Sequence, residues 1–191
     1  MSEVASPLLP IFRSQNQLRL LAYIFTHGDR SHTAAELARA TGISEPTVTR
    51  EVNRLLGAGI VVGTKRGRAK LIEPNREVSY FEDLEGLLIK TAGPPFVLGN
   101  LLRPLAGIQS AFIYGSWARR FLGEPGDYPR DIDLVVVGNP DIDAVYDAVS
   151  RAEKQLALSV NPTIVSSEDW ARPGSMFLES IANGPLVPVI E

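Results

Sequence analysis

Three helix-start signals fall within the first fifty residues, and their spacing limits what the front of the chain can fold into. Ser14 and Gln17 make an S-x-x-Q capping box, after which Leu18, Leu21, Ala22 and Phe25 recur at helical spacing until "HGD" ends the run. A second box, Thr33 with Glu36, opens "TAAELARATG", where Leu37 and Ala38 face a core and Gly42 suits a left-handed cap. Ile43 and Ser44 then lead through a tight turn into "SEPTVTREVNRLLGAGI". There Val48, Val52, Leu55 and Leu56 make an apolar stripe, while Thr47, Thr49, Arg50 and Arg54 lie largely on the other side.

A helix, a short helix, a turn of three to four residues and a third helix are the parts of a helix-turn-helix. After Gly59, "IVVGTKRGRAKLIEP" reads as two short strands around a turn at Gly67, with Lys65, Arg66, Arg68 and Lys70 gathered at its tip. On these residues, 14–74 resemble the winged-helix domains of ArsR- and MarR-type bacterial regulators. The resemblance implies a DNA-binding domain whose third helix enters the major groove of double-stranded DNA. Thr47, Thr49 and Arg50 would then reach bases, with Arg54 and the four wing cations on phosphate. It also implies a homodimer reading two half-sites. A winged helix used only for protein contacts, with the basic loop a solvated hairpin tip, is the other reading of the same residues.

The length of 191 residues allows one large domain or two small ones, and 45% hydrophobic with 21% charged residues is the make-up of a soluble globular protein. No apolar run approaches the ~18 residues a membrane span needs, and "MSEVASPLLPIFRSQ" lacks a basic n-region and a long apolar core. No membrane partner and a cytoplasmic location are therefore expected. The absence of cysteine removes disulfides, thiolate metal sites and cysteine nucleophiles. His27 and His32 have no metal-ligand spacing, and a surface role is expected for both. Charge is unevenly spread: residues 1–78 carry eleven Lys and Arg against seven Asp and Glu, a net of +4, and the remainder eight against fifteen, a net of −7. A basic module suited to a polyanion would precede an acidic one able to hold cations.

"EPNREVSYF" is polar and contains Pro74, which sets an expected boundary between a domain at 1–78 and a second at 79–191. Beyond it, "FEDLEGLLIKTAG" has helical spacing, Gly93-Pro94-Pro95 breaks the chain, and "FVLGNLLRPLAG" is a further helix candidate. "IQSAFIYGS" and "DIDLVVVG" read as buried strands, "DIDAVYDAVSRAEKQL" as a helix and "ALSVNPTIVS" as a third strand. Alternation of this kind predicts a sheet domain of α/β or α+β type, and the whole chain is expected to be α+β.

The strand "DIDLVVVG" opens with two like charges. Asp131 and Asp133 alternate with an inward Ile132, so both carboxylates leave one face about 7 Å apart at the backbone. Carboxylates so placed repel unless a divalent cation lies between them, and hard oxygen ligands suit Mg²⁺; the other reading is two exposed strand-end carboxylates, solvated and inert. Gly115-Ser116 ends the preceding strand, where the glycine permits close approach of a phosphate and the serine can donate to it.

A strand, Gly-Ser, a helical turn and Asp-x-Asp on the next strand resemble the nucleotidyltransferase superfamily that includes DNA polymerase beta. The resemblance implies a nucleoside triphosphate on Ser116, with Gly115 beside it, Arg119 or Arg120 steadying phosphate, and Asp131 and Asp133 as catalytic, metal-holding residues. The layout of nearly the entire chain looks like bacterial proteins that fuse a winged helix to such a nucleotidyltransferase-like domain. Two departures stand out. "FLGEPGDYPR" lengthens the loop before Asp131, and the place of the third carboxylate, which acts as general base in active enzymes, falls at Asn161 or Thr163. Glu168, Asp169, Glu124 and Asp127 are the alternative acids. Trp117 and Trp170 could stack on a base or serve the core, and Tyr114 reads as core.

Three functions follow. The first is a DNA-binding transcriptional regulator whose second domain binds nucleotide and Mg²⁺ as a sensor. The second is an active transferase moving a nucleotidyl group to a hydroxyl of protein, RNA or a small molecule. The third is an antitoxin-like regulator with a protein partner.

Overall fold

The computed structural model describes residues 12–125 and 128–191. The chain divides into two compact units, 1–93 and 94–191. Among the described residues no helix is long and apolar enough to cross a membrane.

The first unit is built on locally coded caps. In α1 (Gln15–Thr26) the Ser14 hydroxyl accepts from the Gln17 N–H, while the Gln17 side chain reaches one residue past the cap, accepting from the Arg13 N–H at 2.9 Å. α2 (Ala34–Thr41) has the full reciprocal box: Glu36 Oε2 accepts from the Thr33 N–H at 2.8 Å and from its hydroxyl at 2.9 Å. Those bonds, the backbone one first, hold the Glu36 carboxyl below its ordinary pKa. Gly42, at φ 67°, turns the chain left-handed into α3 (Glu45–Gly57).

β1 (Val61–Arg66) and β2 (Ala69–Pro74) pair antiparallel around a two-residue turn at Gly67, which has φ 62°. His32 extends this ladder by bonding Ile72 in both directions at 2.8 Å. Leu18, Leu20, Ile24, Phe25, Leu37, Val48, Val52, Leu55 and Ile72 form the core.

Two expectations change here. His27 and His32 are buried, 4% and 8% exposed, not on the surface. Tyr23 gathers them: its ring stacks on His27 at 4.2 Å and meets His32 at 5.4 Å. Burial lowers the pKa of His32, whose Nε2 has no hydrogen-bond partner. The boundary falls after Gly93 rather than at residue 78, because α4 (Phe81–Ala92) packs on α1. Leu88 and Phe81 enter the first core, with Phe81 stacked on Phe25 at 5.6 Å.

The second unit is a four-stranded sheet in the order β5-β4-β3-β6. β3 (Ile108–Tyr114) runs antiparallel to β4 (Asp131–Gly138) and to β6 (Val187–Ile190). β4 and β5 (Ser159–Val165) are parallel, joined by α7 (Ile142–Leu156). Pro162 and Pro188 sit on the two edge strands, the places in a sheet that tolerate proline. Pro94 opens α5 (Pro94–Leu102), which packs against α7 and β6. On the sheet face that carries Val135 and Val137, a second core forms with Val165, Phe112, Trp170 of α8 (Ser167–Ala171), and Leu178 and Ile181 of α9 (Met176–Ala182). Asp131 and Asp133 belong to that same face.

Candidate functional site

The first unit presents a polar helix face and a charged wing. Glu51, Val48, Val52 and Leu55 turn α3 inward, which leaves Thr49, Arg50 and Asn53 exposed along one side. Thr47 is half-buried, and its hydroxyl receives a hydrogen bond from Ser44 at 2.9 Å, so the helix start already uses it. Arg54 is tied to the buried carboxylate of Glu51 one turn back. Asn53 is not among the base readers expected from the sequence; stepping three residues from Arg50 and four from Thr49 finds it. An amide can bond adenine with both its groups.

In the wing Lys65, Arg66, Arg68 and Lys70 are all exposed and make no ion pair among the described residues. Lys65 lies directly opposite Lys70 in the ladder. Like charges so paired cost roughly 0.2–1 kcal/mol, a cost a polyanion would remove. The Lys70 side chain lies over Gly63, where a β-carbon would meet its Cε at 2.6 Å.

In the second unit the strands bring three side chains to one point. The β4–β5 register sets Asn161 beside Asp133, and the Asn161 Nδ2 donates to Asp131 Oδ2 at 3.0 Å and to Asp133 Oδ1 at 3.2 Å. Tyr114 pairs with Asp133 on the other side. α6 (Gly115–Phe121) leaves β3 through Gly115 at φ 72°, and no side chain caps it. A β-carbon at 115 would lie 2.6 Å from Asp133 Oδ2. The space expected to admit a phosphate at Gly115 is thus held by the chain's own carboxylate. Ser116 and Arg119 are exposed on one side of α6, whereas Arg120 lays its guanidinium over the Tyr128 ring at 4.7 Å.

Other expected residues are engaged elsewhere. Ser166 caps α8 by accepting from the Asp169 N–H at 3.0 Å and donates its hydroxyl to Asp169 Oδ2 at 2.7 Å, and Glu168 is exposed in the same first turn. Glu124 is exposed, and Asp127 lies outside the described residues. Thr163 Oγ1 is 3.4 Å from the Tyr114 hydroxyl. Tyr114, expected in the core, is half-buried and packs against the second core, and its ring meets Phe177 edge-on at 6.5 Å. Trp170 stacks on Phe112 and the buried Trp117 on Phe121.

At the place where the resemblance puts magnesium, among the described residues no three His, Cys, Asp or Glu side chains gather, and Asn161 points N–H, not a lone pair, between the two carboxylates.

Three helices followed by a two-stranded wing define residues 14–74 as a winged helix-turn-helix domain. Residues 13–70 match the family model for the MarR family. Among solved structures, wild-type apo MarR from E. coli is 19% identical, with 52% of this chain and 71% of that chain covered and a TM-score of 0.39. The reduced form of E. coli MarR is 23% identical over 51% of this chain and 80% of that one, with a TM-score of 0.32. No curated protein matches the chain.

Proposed function

We propose that this protein is a DNA-binding transcriptional regulator that reads duplex DNA as a homodimer through α3 and the wing. Thr49, Arg50 and Asn53 contact base edges, and the four wing cations contact phosphate. The observation that carries the reading is the wing: four exposed cations, two of them opposed across the ladder, on a domain of MarR type. In the same proposal the second unit is a nucleotidyltransferase-like domain that takes a nucleotide, with its phosphates on Ser116 and Arg119, as the signal. The strand, the Gly115-Ser116 corner and the short helix that follows, with Ser116 and Arg119 exposed on one side of α6, support that part. Transfer to a hydroxyl gains no support from Asn161, because an amide takes no proton from an acceptor.

The test is fluorescence anisotropy of the full chain on a labelled duplex pool over a range of salt. Log affinity is expected to fall linearly with log salt. Each of Lys65→Ala, Arg66→Ala, Arg68→Ala and Lys70→Ala should flatten the slope by about 0.9 for every phosphate that the variant no longer neutralises. Arg50→Ala on the selected sequence should cost about 1–3 kcal/mol and relax base preference. A wild type that ignores duplex DNA at low salt overturns the reading.

A further inference from the structure

We infer that Asn161 stands in for a cation: its amide bridges the two aspartates and closes the pair to divalent metal. This is the corner assigned above to nucleotide, and that reading matters here only for the identity of the ligand. The basis is the hydrogen bonding. Two carboxylates projecting from one strand face repel, and the repulsion must be offset by a cation or by donors. Asn161 supplies donors, with its one nitrogen at 3.0 Å from Asp131 and 3.2 Å from Asp133. The parallel β4–β5 register fixes it there, since Asn161 is the residue opposite Asp133.

An amide nitrogen carries N–H groups and no lone pair for a metal. Turning the amide over would offer one carbonyl oxygen but would leave both carboxylates without their shared donor. A divalent ion drawn to the oxygens between the two carboxylates, Asp131 Oδ2 and Asp133 Oδ1, therefore competes with the bridge. The anionic pair then persists without metal. The identity of one residue, acid or amide, decides whether this corner of the sheet collects cations.

The experiment is a Mn²⁺ titration of the full chain followed by electron paramagnetic resonance, together with thermal unfolding in EDTA and in Mn²⁺. Wild type, Asn161→Asp and Asn161→Ala are compared. Wild type is expected to show no tight Mn²⁺ site and an unfolding midpoint indifferent to the metal. Asn161→Asp should bind Mn²⁺ at least tenfold more tightly, melt below wild type in EDTA because three carboxylates repel, and recover when Mn²⁺ is added. Asn161→Ala, which removes the bridge without adding an acid, should melt below wild type and gain Mn²⁺ affinity by less than Asn161→Asp does.

Wild type binding Mn²⁺ as tightly as Asn161→Asp overturns the inference. So does an Asn161→Asp protein whose midpoint ignores metal. If Asn161→Asp does not fold in either buffer, Asn161→Ala decides: higher Mn²⁺ affinity than wild type supports the inference, and equal or lower affinity overturns it. A separate calorimetric titration of ATP in EDTA reads the nucleotide assignment. Absence of heat there ends that assignment and leaves the metal result standing.

Discussion

A methyl group added at position 115 would land 2.6 Å from Asp133 Oδ2, on a residue whose φ of 72° already disfavours any side chain. Left-handed backbone costs an L-residue about 1–2 kcal/mol, and the carboxylate must also turn away from Asn161. Gly115→Ala is therefore expected to lower stability by about 1–3 kcal/mol in urea unfolding. In the Asp133→Ala background the steric part vanishes and only the backbone part remains. A double-mutant cycle should show that coupling, whereas strict additivity would mean the glycine is there for the turn alone. His32 supplies the pH-dependent counterpart. Burial holds its native pKa below the ordinary 6.5, with a hydrogen bond to the His27 backbone, Glu36 and Asp29 acting to raise it and Arg30 to lower it. The unfolded chain thus binds the proton more readily, and stability rises with pH between the two values. This contribution is complete above about pH 6.5 and is lost progressively as pH falls below it. Urea midpoints between pH 7.5 and 5 should drop for wild type and drop less for His32→Phe, which keeps a flat ring beside Tyr23 but does not titrate. Equal slopes would remove His32 as the cause.

At the scale of elements, what is legible in the sequence is what is coded locally. The Thr33–Glu36 box, Gly42 and Gly67 announce their helix start, cap and turn because each acts on its immediate neighbours. The inward stripe of α3 is legible for the same reason, yet the face opposite it is not fully so. Glu51 is buried with Arg54 despite its charge, while Asn53 stands exposed beside Arg50. Periodicity marks apolar positions and does not say which polar side chain is tied inward. α4 is legible as a helix but not as part of the first core, since joining one core or the other is decided by long-range packing such as Phe81 on Phe25. Pro74 and the polar run around it read as a boundary, yet the chain simply crosses from the wing to α4 there. In the second unit the Asp-x-Asp strand face is legible from alternation alone. The bridge from Asn161 is not, because it depends on a parallel register between strands 28 residues apart in sequence. That register turns a seemingly missing acid into an occupied position.

The whole chain behaves as two units whose charge is less polarised than the wing suggests. With α4 included, residues 1–93 carry twelve Lys and Arg against ten Asp and Glu, so their net charge is only +2. Attraction to a polyanion must then come from the wing's concentrated charge, not from the unit as a whole. The division after Gly93 also fixes what a self-sufficient first unit contains. A cut at residue 78 removes Phe81 and Leu88, each worth about 1.5–3 kcal/mol when buried, and bares the side of α1 that they cover. Domains of this size have only roughly 5–15 kcal/mol to lose, and small ones lie near the lower end. The fragment 1–93 is accordingly expected to unfold in urea as a single cooperative transition. The fragment 1–78 should unfold at a clearly lower midpoint or without a transition, as followed by circular dichroism. Equal midpoints would mean that α4 rests on a core already complete without it, and the boundary would return to residue 78. A lower midpoint for 1–78 would instead make α4 a structural member of the first unit, because the core it completes is the one that holds α3 and the wing in place.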